Sequence, residues 1–232
     1  LKKGKSAIAI TDHDTTTGIC SAMNQAKGRN IEVIPGIEFS VQYAPYMHIL
    51  GLYIDIKNSR LITELNRLKK IRCTLIAQAF FKVRQFGIHI SPQQLKSEVG
   101  TVTIFNLKKY LLSKNLMPIE CSLDAELQNL LNKWEKVVLS PQDCISLIHQ
   151  SQGIAILAHP LLLGYSMDKL DSILYELKKL GLDGMEVDHP AQPVEVRGKL
   201  EKMLYKYSLV RSGGSDYHGN NYSSDNTQEV SY

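Results

Sequence analysis

The pattern of apolar and polar positions divides the chain into three stretches, at residues 1–57, 58–150 and 151–219. In the first stretch, apolar runs of strand length alternate with polar segments, and one segment has a helical pattern. The pattern predicts strands at residues 6–11, 31–34, 36–41 and 46–55, and a helix that ends near residue 27. Thr15, Thr16 and Thr17 offer side chains that can cap the start of that helix.

The second stretch, residues 58–150, has the periodicity of helices throughout. Apolar side chains recur every three or four positions from residue 59 to about residue 86, as a helix with one buried face requires. Ser91 and Pro92 form a typical helix start, and further helical patterns follow at residues 104–112, 123–134 and 141–150. The stretch therefore predicts a helical insertion that forms a cap.

Strand–helix alternation returns in the third stretch, residues 151–219. The pattern predicts strands at residues 154–158, 184–187 and 208–212, and helices at residues 168–180 and 194–207. Alternation at both ends of the chain predicts an α/β fold with parallel strands and right-handed crossover connections. Residues 220–232 form a polar tail rich in Ser and Asn, for which we expect little order.

The composition is that of a globular protein with a sizeable core. Apolar residues make up 44% of the 232 residues and charged residues 22%, which are ordinary values for a soluble domain. The net charge of +4 suits an anionic substrate. We interpret the lysine pairs at 69–70 and 108–109 as solvated helix faces rather than a nucleic-acid track.

The cysteines and the apolar runs indicate the compartment. The four cysteines form no C-x-x-C pair, and no apolar run reaches the length of a membrane-spanning helix. We therefore expect a cytoplasmic protein without membrane contact. The sequence indicates no stable protein partner.

Carboxylate and imidazole side chains stand at or near the ends of most predicted strands. Six residues share this placement: His13, Glu38, His48, His159, Asp216 and His218. Functional groups of parallel barrels gather at the carboxyl ends of the strands, and residues two apart on a strand point the same way. Oxygen and nitrogen ligands of this kind suit divalent ions such as manganese, zinc or iron. The placement therefore predicts a hydrolytic metal site, and no serine or cysteine nucleophile motif or P-loop competes with it.

Three further residues near these strand ends are candidates for a supporting role. Asp12 and Asp14 flank His13. They either cap the start of the following helix as Asx-type residues or contact His13 and orient its ring as a proposed metal ligand. At the level of the sequence both interpretations stay open. His189 follows the predicted strand at 184–187, from which its side chain can face the pocket as a substrate contact.

Five short motifs occur in order along the chain. They are Thr11-Asp12-His13-Asp14-Thr15, Pro35-Gly36-Ile37-Glu38, His48-Ile49-Leu50-Gly51, Ala158-His159-Pro160 and Gly213-Gly214-Ser215-Asp216-Tyr217-His218. In this order they resemble the PHP (polymerase and histidinol phosphatase) domain, over nearly the whole chain up to Gly219. With the long helical insertion, they are most similar to a branch of bacterial 3′,5′-nucleotide bisphosphate phosphatases and 5′→3′ exoribonucleases.

The resemblance implies a distorted (β/α)7 barrel that binds three metal ions, usually manganese. It implies that Glu38, His48 and His159 hold one ion, and that Asp216 serves a second ion that Glu38 also touches. It implies that His13 and His218 hold the third ion.

The chain departs from the family pattern at two places. The family opens with a strand that bears His-x-His, followed by a metal-binding Asp, and we expect this first strand to be absent from the chain. The family also carries an Arg and a His near the start of a helix in the insertion. The corresponding segment here is Thr103-Ile104-Phe105-Asn106.

The resemblance implies a hydrolase, a metal-dependent phosphoesterase that acts on 3′,5′-bisphosphonucleotides or on the 5′ ends of short RNA. Manganese is the expected ion, with zinc and iron as alternatives. Two other functions stay open. One is a truncated or degenerate PHP-like domain without catalysis, and the other is a phosphatase of the histidinol-phosphate type, which the long insertion disfavours.

Overall fold

The computed structural model describes residues 5–43, 47–99, 102–117 and 122–217. Within these ranges the chain divides into two compact units. The first consists of residues 5–65 and 138–216, and the second of residues 66–137 together with Tyr217. The predicted tail at 220–232 lies outside the described residues.

A six-stranded sheet forms the centre of the first unit. Its strands, in chain order and in order across the sheet, are β1 (Ala7–Ile10), β2 (Glu32–Ser40), β3 (His48–Leu52), β4 (Ile154–Leu157), β5 (Gly184–Asp188) and β6 (Val210–Gly213). β1 is parallel to β2, and β4, β5 and β6 are parallel to one another, whereas β3 is antiparallel to both β2 and β4. The expected α/β fold is confirmed, as a mixed sheet curled into a half-barrel.

The strands predicted at 31–34 and 36–41 are in fact one continuous strand, β2. This strand changes partner at its centre, because residues up to Pro35 pair with β1 and residues from Gly36 pair with β3. A Cβ atom at Gly36 would lie 3.0 Å from the Ile10 carbonyl oxygen and 3.1 Å from the Gly51 carbonyl oxygen. Glycine therefore lets both neighbouring strands approach β2 at the same point.

The parallel direction that the strand–helix alternation predicts does not hold for β3. This strand follows β2 after a connection of only seven residues, 41–47. Such a connection is too short for the crossover that a parallel pair needs, so the chain turns back and pairs antiparallel. The register places Ser40 opposite His48.

The described residues include eight α-helices. They are α1 (Ile19–Ala26), α2 (Ser59–Gln85), α3 (Pro92–Val99), α4 (Ile104–Ser113), α5 (Leu123–Glu135), α6 (Pro141–Gln150), α7 (Met167–Lys179) and α8 (Val194–Tyr207). In the first unit α1 contacts β2, α6 contacts β3 and β4, and α8 contacts β5. Ser140 and Ser166 cap α6 and α7 through hydrogen bonds to backbone N–H groups. The fully buried side chains of Ile37, Ile49 and Leu157 lie in the core beneath these helices.

The second unit is helical, as its apolar periodicity predicts. It contains α3, α4, α5 and residues 66–85 of α2. One core joins these helices, through Leu75, Ala79, Val83, Leu95, Ile104, Leu107, Tyr110, Leu111, Leu123, Leu127 and Leu130. The two ends of the unit meet, because the Arg67 guanidinium donates a hydrogen bond to the Val137 carbonyl oxygen at 2.7 Å. No helix in the described parts of the chain has the length and apolar content needed to cross a membrane.

Candidate metal centre

Side chains from the ends of neighbouring strands meet at one edge of the sheet. Glu38 lies two residues before the end of β2, and His48 is the first residue of β3. Because β3 is antiparallel to β2, its amino end lies beside the carboxyl end of β2. His13 forms an isolated bridge with Glu38, and His159 lies two residues beyond β4. The reversal of β3 therefore brings His48 to the edge at which the parallel strands end.

Glu38 is at the centre of this group. Its Oε1 atom lies 2.8 Å from His48 Nδ1 and 3.0 Å from His159 Nε2, and these two nitrogens are 3.0 Å apart. Its Oε2 atom lies 3.7 Å from His13 Nε2. One buried carboxylate therefore faces three imidazoles, and ligand atoms of His13, Glu38 and His48 all lie within 4.8 Å of one another.

Burial and charge shift two pKa values at this site in opposite directions. Burial raises the pKa of Glu38, but hydrogen bonds with His159 and His48 outweigh burial and hold this pKa well below its usual range. Burial lowers the pKa of His159, but its hydrogen bond and charge interaction with Glu38 outweigh burial and raise this pKa. At mildly acidic pH the pair is therefore a carboxylate that faces an imidazolium.

Four imidazole rings form a row across the site. The ring centroids of His13 and His48 are 4.7 Å apart, those of His48 and His159 are 5.0 Å apart, and those of His159 and His189 are 5.6 Å apart. Neighbouring rings are tilted by between 62° and 88°. The row thus joins three of the residues predicted as metal ligands to His189, the residue predicted as a substrate contact.

His189 and Asp216 face each other at one end of the row. His189 Nε2 lies 3.6 Å from Asp216 Oδ2, which is longer than a hydrogen bond. His189 Nδ1 accepts a hydrogen bond from the Ala191 N–H at 3.1 Å, so the neutral ring carries its hydrogen on Nε2. Asp216 follows β6 by three residues and has a φ of 47°. His218, the other predicted ligand in this motif, lies outside the described residues.

Asp12 and Asp14 point to different parts of the unit. The buried Asp14 carboxylate accepts hydrogen bonds from the backbone N–H and the hydroxyl of Ser40, at 3.0 and 3.1 Å. The Asp14 N–H donates to the Glu38 carbonyl oxygen at 2.9 Å. These hydrogen bonds of Asp14 therefore fix the end of β2 beside Glu38. Asp12 lies against the start of α1, because a Cβ atom at its N-cap residue, Gly18, would come within 2.6 Å of Asp12 Oδ2.

Two buried carboxylates of β5 lie beside the site, and neither is among the candidate residues of the sequence analysis. Glu186 Oε2 accepts a hydrogen bond from the His159 N–H at 2.7 Å, and burial raises the pKa of Glu186. Asp188 accepts hydrogen bonds from Nε and Nη2 of Arg211, at 2.8 and 2.9 Å. All five residues of β5 are buried. A buried charged side chain needs a partner. The presence of two carboxylates in a buried strand was therefore the sequence signal that could have identified these two residues.

The donor set of the site fits a divalent metal ion. Imidazoles and a carboxylate are ligands that manganese, zinc and iron accept. The Glu38 carboxylate is ionised and buried, and such a group needs positive charge nearby. His159 Nδ1 is buried without a hydrogen-bond partner in the described residues, so Nε2 is the nitrogen of that ring which faces the carboxylate.

The chain is similar in sequence to two bacterial hydrolases. It is 29% identical over 226 residues to the 5′-3′ exoribonuclease Rnm of Escherichia coli, with 91% of this chain and 74% of that protein covered. It is 21% identical over 224 residues to the 3′,5′-nucleoside bisphosphate phosphatase of Chromobacterium violaceum, with 91% of this chain and 76% of that protein covered. No family model matches the chain.

A solved structure shares the fold. It is an amidohydrolase from Chromobacterium violaceum with bound sulfate and no metal, which superposes with a TM-score of 0.71 at 21% identity. The similarity covers 94% of this chain and 79% of that one. The chain therefore has the same fold as this amidohydrolase.

Proposed function

We propose that the chain is a metal-dependent phosphoesterase of the PHP type. The observation that carries this proposal is the buried Glu38 carboxylate, which lies 2.8 Å from His48 Nδ1 and 3.0 Å from His159 Nε2. Similarity to an exoribonuclease and to a nucleoside bisphosphate phosphatase supports the same reaction class. The five PHP-like motifs supply the residues of this group and Asp216.

Glu38, His48 and His159 are the residues that we assign to one divalent ion, with manganese as the proposed metal. His13, Asp216 and His218 are assigned to further ions. A bound divalent ion supplies Lewis acidity toward a phosphate ester and lowers the pKa of water.

The surrounding residues keep the proposed ligands in position. The hydrogen bonds from Ser40 to Asp14, and from Asp14 to the Glu38 carbonyl oxygen, fix the end of β2. The hydrogen bond from the His159 N–H to Glu186 fixes the backbone of the segment after β4. Supporting contacts of this kind fix the orientation of metal-ligating side chains.

His189 is the residue that we place against the substrate. Its side chain is only 3% exposed, and its Nδ1 atom is occupied by the Ala191 N–H. The hydrogen on Nε2 can therefore be donated to a phosphate oxygen at the end of the imidazole row. A ring N–H in this position would orient the ester by a hydrogen bond.

The proposed substrates are 3′,5′-bisphosphonucleotides and the 5′ ends of short RNA. The names of the two relatives support both. The test incubates the manganese-loaded chain with adenosine 3′,5′-bisphosphate and with 5′-phosphorylated pentauridylate, and measures release of phosphate and of mononucleotide. We expect hydrolysis of at least one substrate, and a loss of about a hundredfold or more in Glu38→Gln and His159→Ala, the order expected when a catalytic group is removed.

A matched control and a metal assay separate the competing functions. Glu32→Gln changes the same residue type on the exposed end of the same strand, so it should retain full activity. A chain that binds manganese stoichiometrically but hydrolyses neither substrate would support a non-catalytic domain. Faster hydrolysis of histidinol phosphate than of both nucleotide substrates would support the histidinol-phosphate type.

A further inference from the structure

The positive charge of the chain is concentrated in its second unit. Residues 66–137 contain 12 Lys and Arg against 5 Asp and Glu, which is a net charge of +7. The whole chain carries +4, so the remaining residues together carry −3. A basic unit within an otherwise acidic chain has the charge distribution of a module that binds a polyanion.

A groove of about 440 Å³ lies between α2 and α5 on this unit. The side chains that line it come from one face of each helix. They are Gln78, Phe81 and Lys82 of α2, and Glu126, Asn129, Leu130, Asn132, Lys133 and Lys136 of α5 and its carboxyl end. Both sets follow the spacing i, i+3, i+4, which places them side by side along a helix. The groove is therefore lined by two rows of side chains, one from each helix, in which amide and ammonium groups predominate.

The charged groups of the groove are mostly positive. Its one acidic side chain, Glu126, lies 3.4 Å from Lys82 Nζ, where the two charges offset each other. Lys133 and Lys136 also line the groove, so three lysines stand against one glutamate. The excess charge is +2, in a groove where a chain of phosphates could lie.

The aromatic ring of Phe81 is largely exposed to solvent. Its relative exposure is 61%, although large aromatic side chains are on average well buried. It stands in the same stripe as Gln78 and Lys82. Proteins that bind single-stranded nucleic acid combine these three groups, since aromatic rings stack on bases, amides bind base edges and lysines bind phosphates.

We propose that the groove between α2 and α5 binds single-stranded RNA. The proposal rests on the proposed function for its choice of ligand. An acidic peptide would pair with Lys133 and Lys136 but would leave the Phe81 ring and the asparagine amides without stacking and base-edge partners. RNA engages all three kinds of group.

The test measures binding of fluorescein-labelled decauridylate to the full chain by fluorescence anisotropy, in EDTA so that no hydrolysis occurs. Phe81→Ala should weaken binding about tenfold through loss of one base stack, whereas Phe81→Tyr should retain it. Lys133→Glu should weaken binding about tenfold, and should reduce the slope of log K against log salt concentration by about 0.7 for one lost phosphate contact.

Lys70→Glu is the matched control for charge. It makes the same change at an exposed position of α2 that does not line the groove, so binding should change by less than about twofold, because one distant surface charge is largely screened. Equal weakening by Lys70→Glu and Lys133→Glu would show diffuse attraction and would overturn the proposal. Unchanged binding in Phe81→Ala, or tighter binding of polyglutamate than of RNA, would overturn it as well.

Hydrolysis of adenosine 3′,5′-bisphosphate separates this inference from the proposed function. A substrate of one nucleotide does not need the groove, so Phe81→Ala and Lys133→Glu should hydrolyse it at the rate of the unaltered chain. Glu38→Gln should lose that hydrolysis and still bind decauridylate in EDTA. RNA binding without hydrolysis would refute the proposed function alone, and hydrolysis without groove-dependent binding would refute the groove alone.

Discussion

Replacing Glu38 with glutamine should destabilise the metal-free protein at mildly acidic pH and much less at alkaline pH. The substitution keeps the shape of the side chain and removes its charge. The ionised carboxylate that accepts hydrogen bonds from His48 at 2.8 Å and from His159 at 3.0 Å becomes a neutral amide, which accepts them more weakly. Each charge-assisted bond contributes about 1.5–3 kcal/mol, and an imidazolium that loses its partner can lose its proton. We therefore expect a loss of about 3 kcal/mol at pH 5.5 and about 1 kcal/mol at pH 8.5.

The pH window follows from the two pKa shifts. The pKa of Glu38 is lowered in the folded protein, so its contribution is present above the ordinary value of 4.5 and is lost at lower pH. The pKa of His159 is raised, so its contribution is complete below the ordinary value of 6.5 and is lost as the pH rises through the folded pKa. The pair therefore stabilises the metal-free fold most between pH 4.5 and pH 6.5.

Urea unfolding in EDTA at pH 5.5 and pH 8.5 measures the difference. Glu32→Gln, on the exposed end of the same strand, should stay within about 0.5 kcal/mol of the unaltered protein at both pH values. Equal destabilisation by Glu38→Gln at pH 5.5 and pH 8.5 would refute the assignment of His159 as the protonated partner. In the presence of manganese, Glu38 should instead stabilise the protein more at pH 8.5 than at pH 5.5. Metal binding displaces the His159 proton, so the affinity of the site for manganese should rise with pH.

Three further outcomes test other parts of the structure. Asp14→Ala should lower the free energy of unfolding by about 2 kcal/mol, measured with urea, because two hydrogen bonds from Ser40 lose their acceptor; Ser40→Ala, which keeps the backbone bond, should cost about half as much. Gly214→Ala should lower stability by about 1–3 kcal/mol in thermal unfolding, since its Cβ would lie 2.5 Å from a buried glutamate oxygen of β5, whereas Gly198→Ala meets open space within α8 and should be neutral or stabilising. Cys144 should resist thiol reagents until the protein unfolds, as peptide mapping would show, because it is fully buried and burial raises the pKa of its thiol.

The sequence predicts the helices well because their apolar periodicity is long and regular, and it predicts the strand ends that carry Glu38 and His159. It does not predict the continuity of β2, because Pro35-Gly36 is a typical strand break. The strand continues there since it exchanges one partner for another at that dipeptide. Strand direction is also absent from a hydrophobic pattern, which explains the error for β3. The sheet, rather than the sequence, shows that a reversed strand brings His48 beside Glu38 and His159.

The supporting residues of the site are harder to predict than its candidate ligands. Glu186 lies in an apolar strand, and its hydrogen bond runs to the backbone of a residue 27 positions earlier. The role of Asp14 depends on Ser40, 26 positions later, which no local motif reveals. Contacts of this kind depend on the tertiary fold. Residue types and spacing therefore indicate the candidate ligands but not the residues that hold those ligands in position.

The hydrogen bond between Arg67 and Val137 has a consequence for the order of folding. Pairing β3 with β4 must close a loop of about 100 residues, and the entropy cost of closure grows with the logarithm of loop length. If residues 66–137 fold first, the Arg67–Val137 contact brings their ends together. The flexible loop then shrinks to about 30 residues, which lowers the closure cost by about 1 kcal/mol. The helical unit, built from contacts local in the sequence, is therefore expected to form early and to speed completion of the sheet.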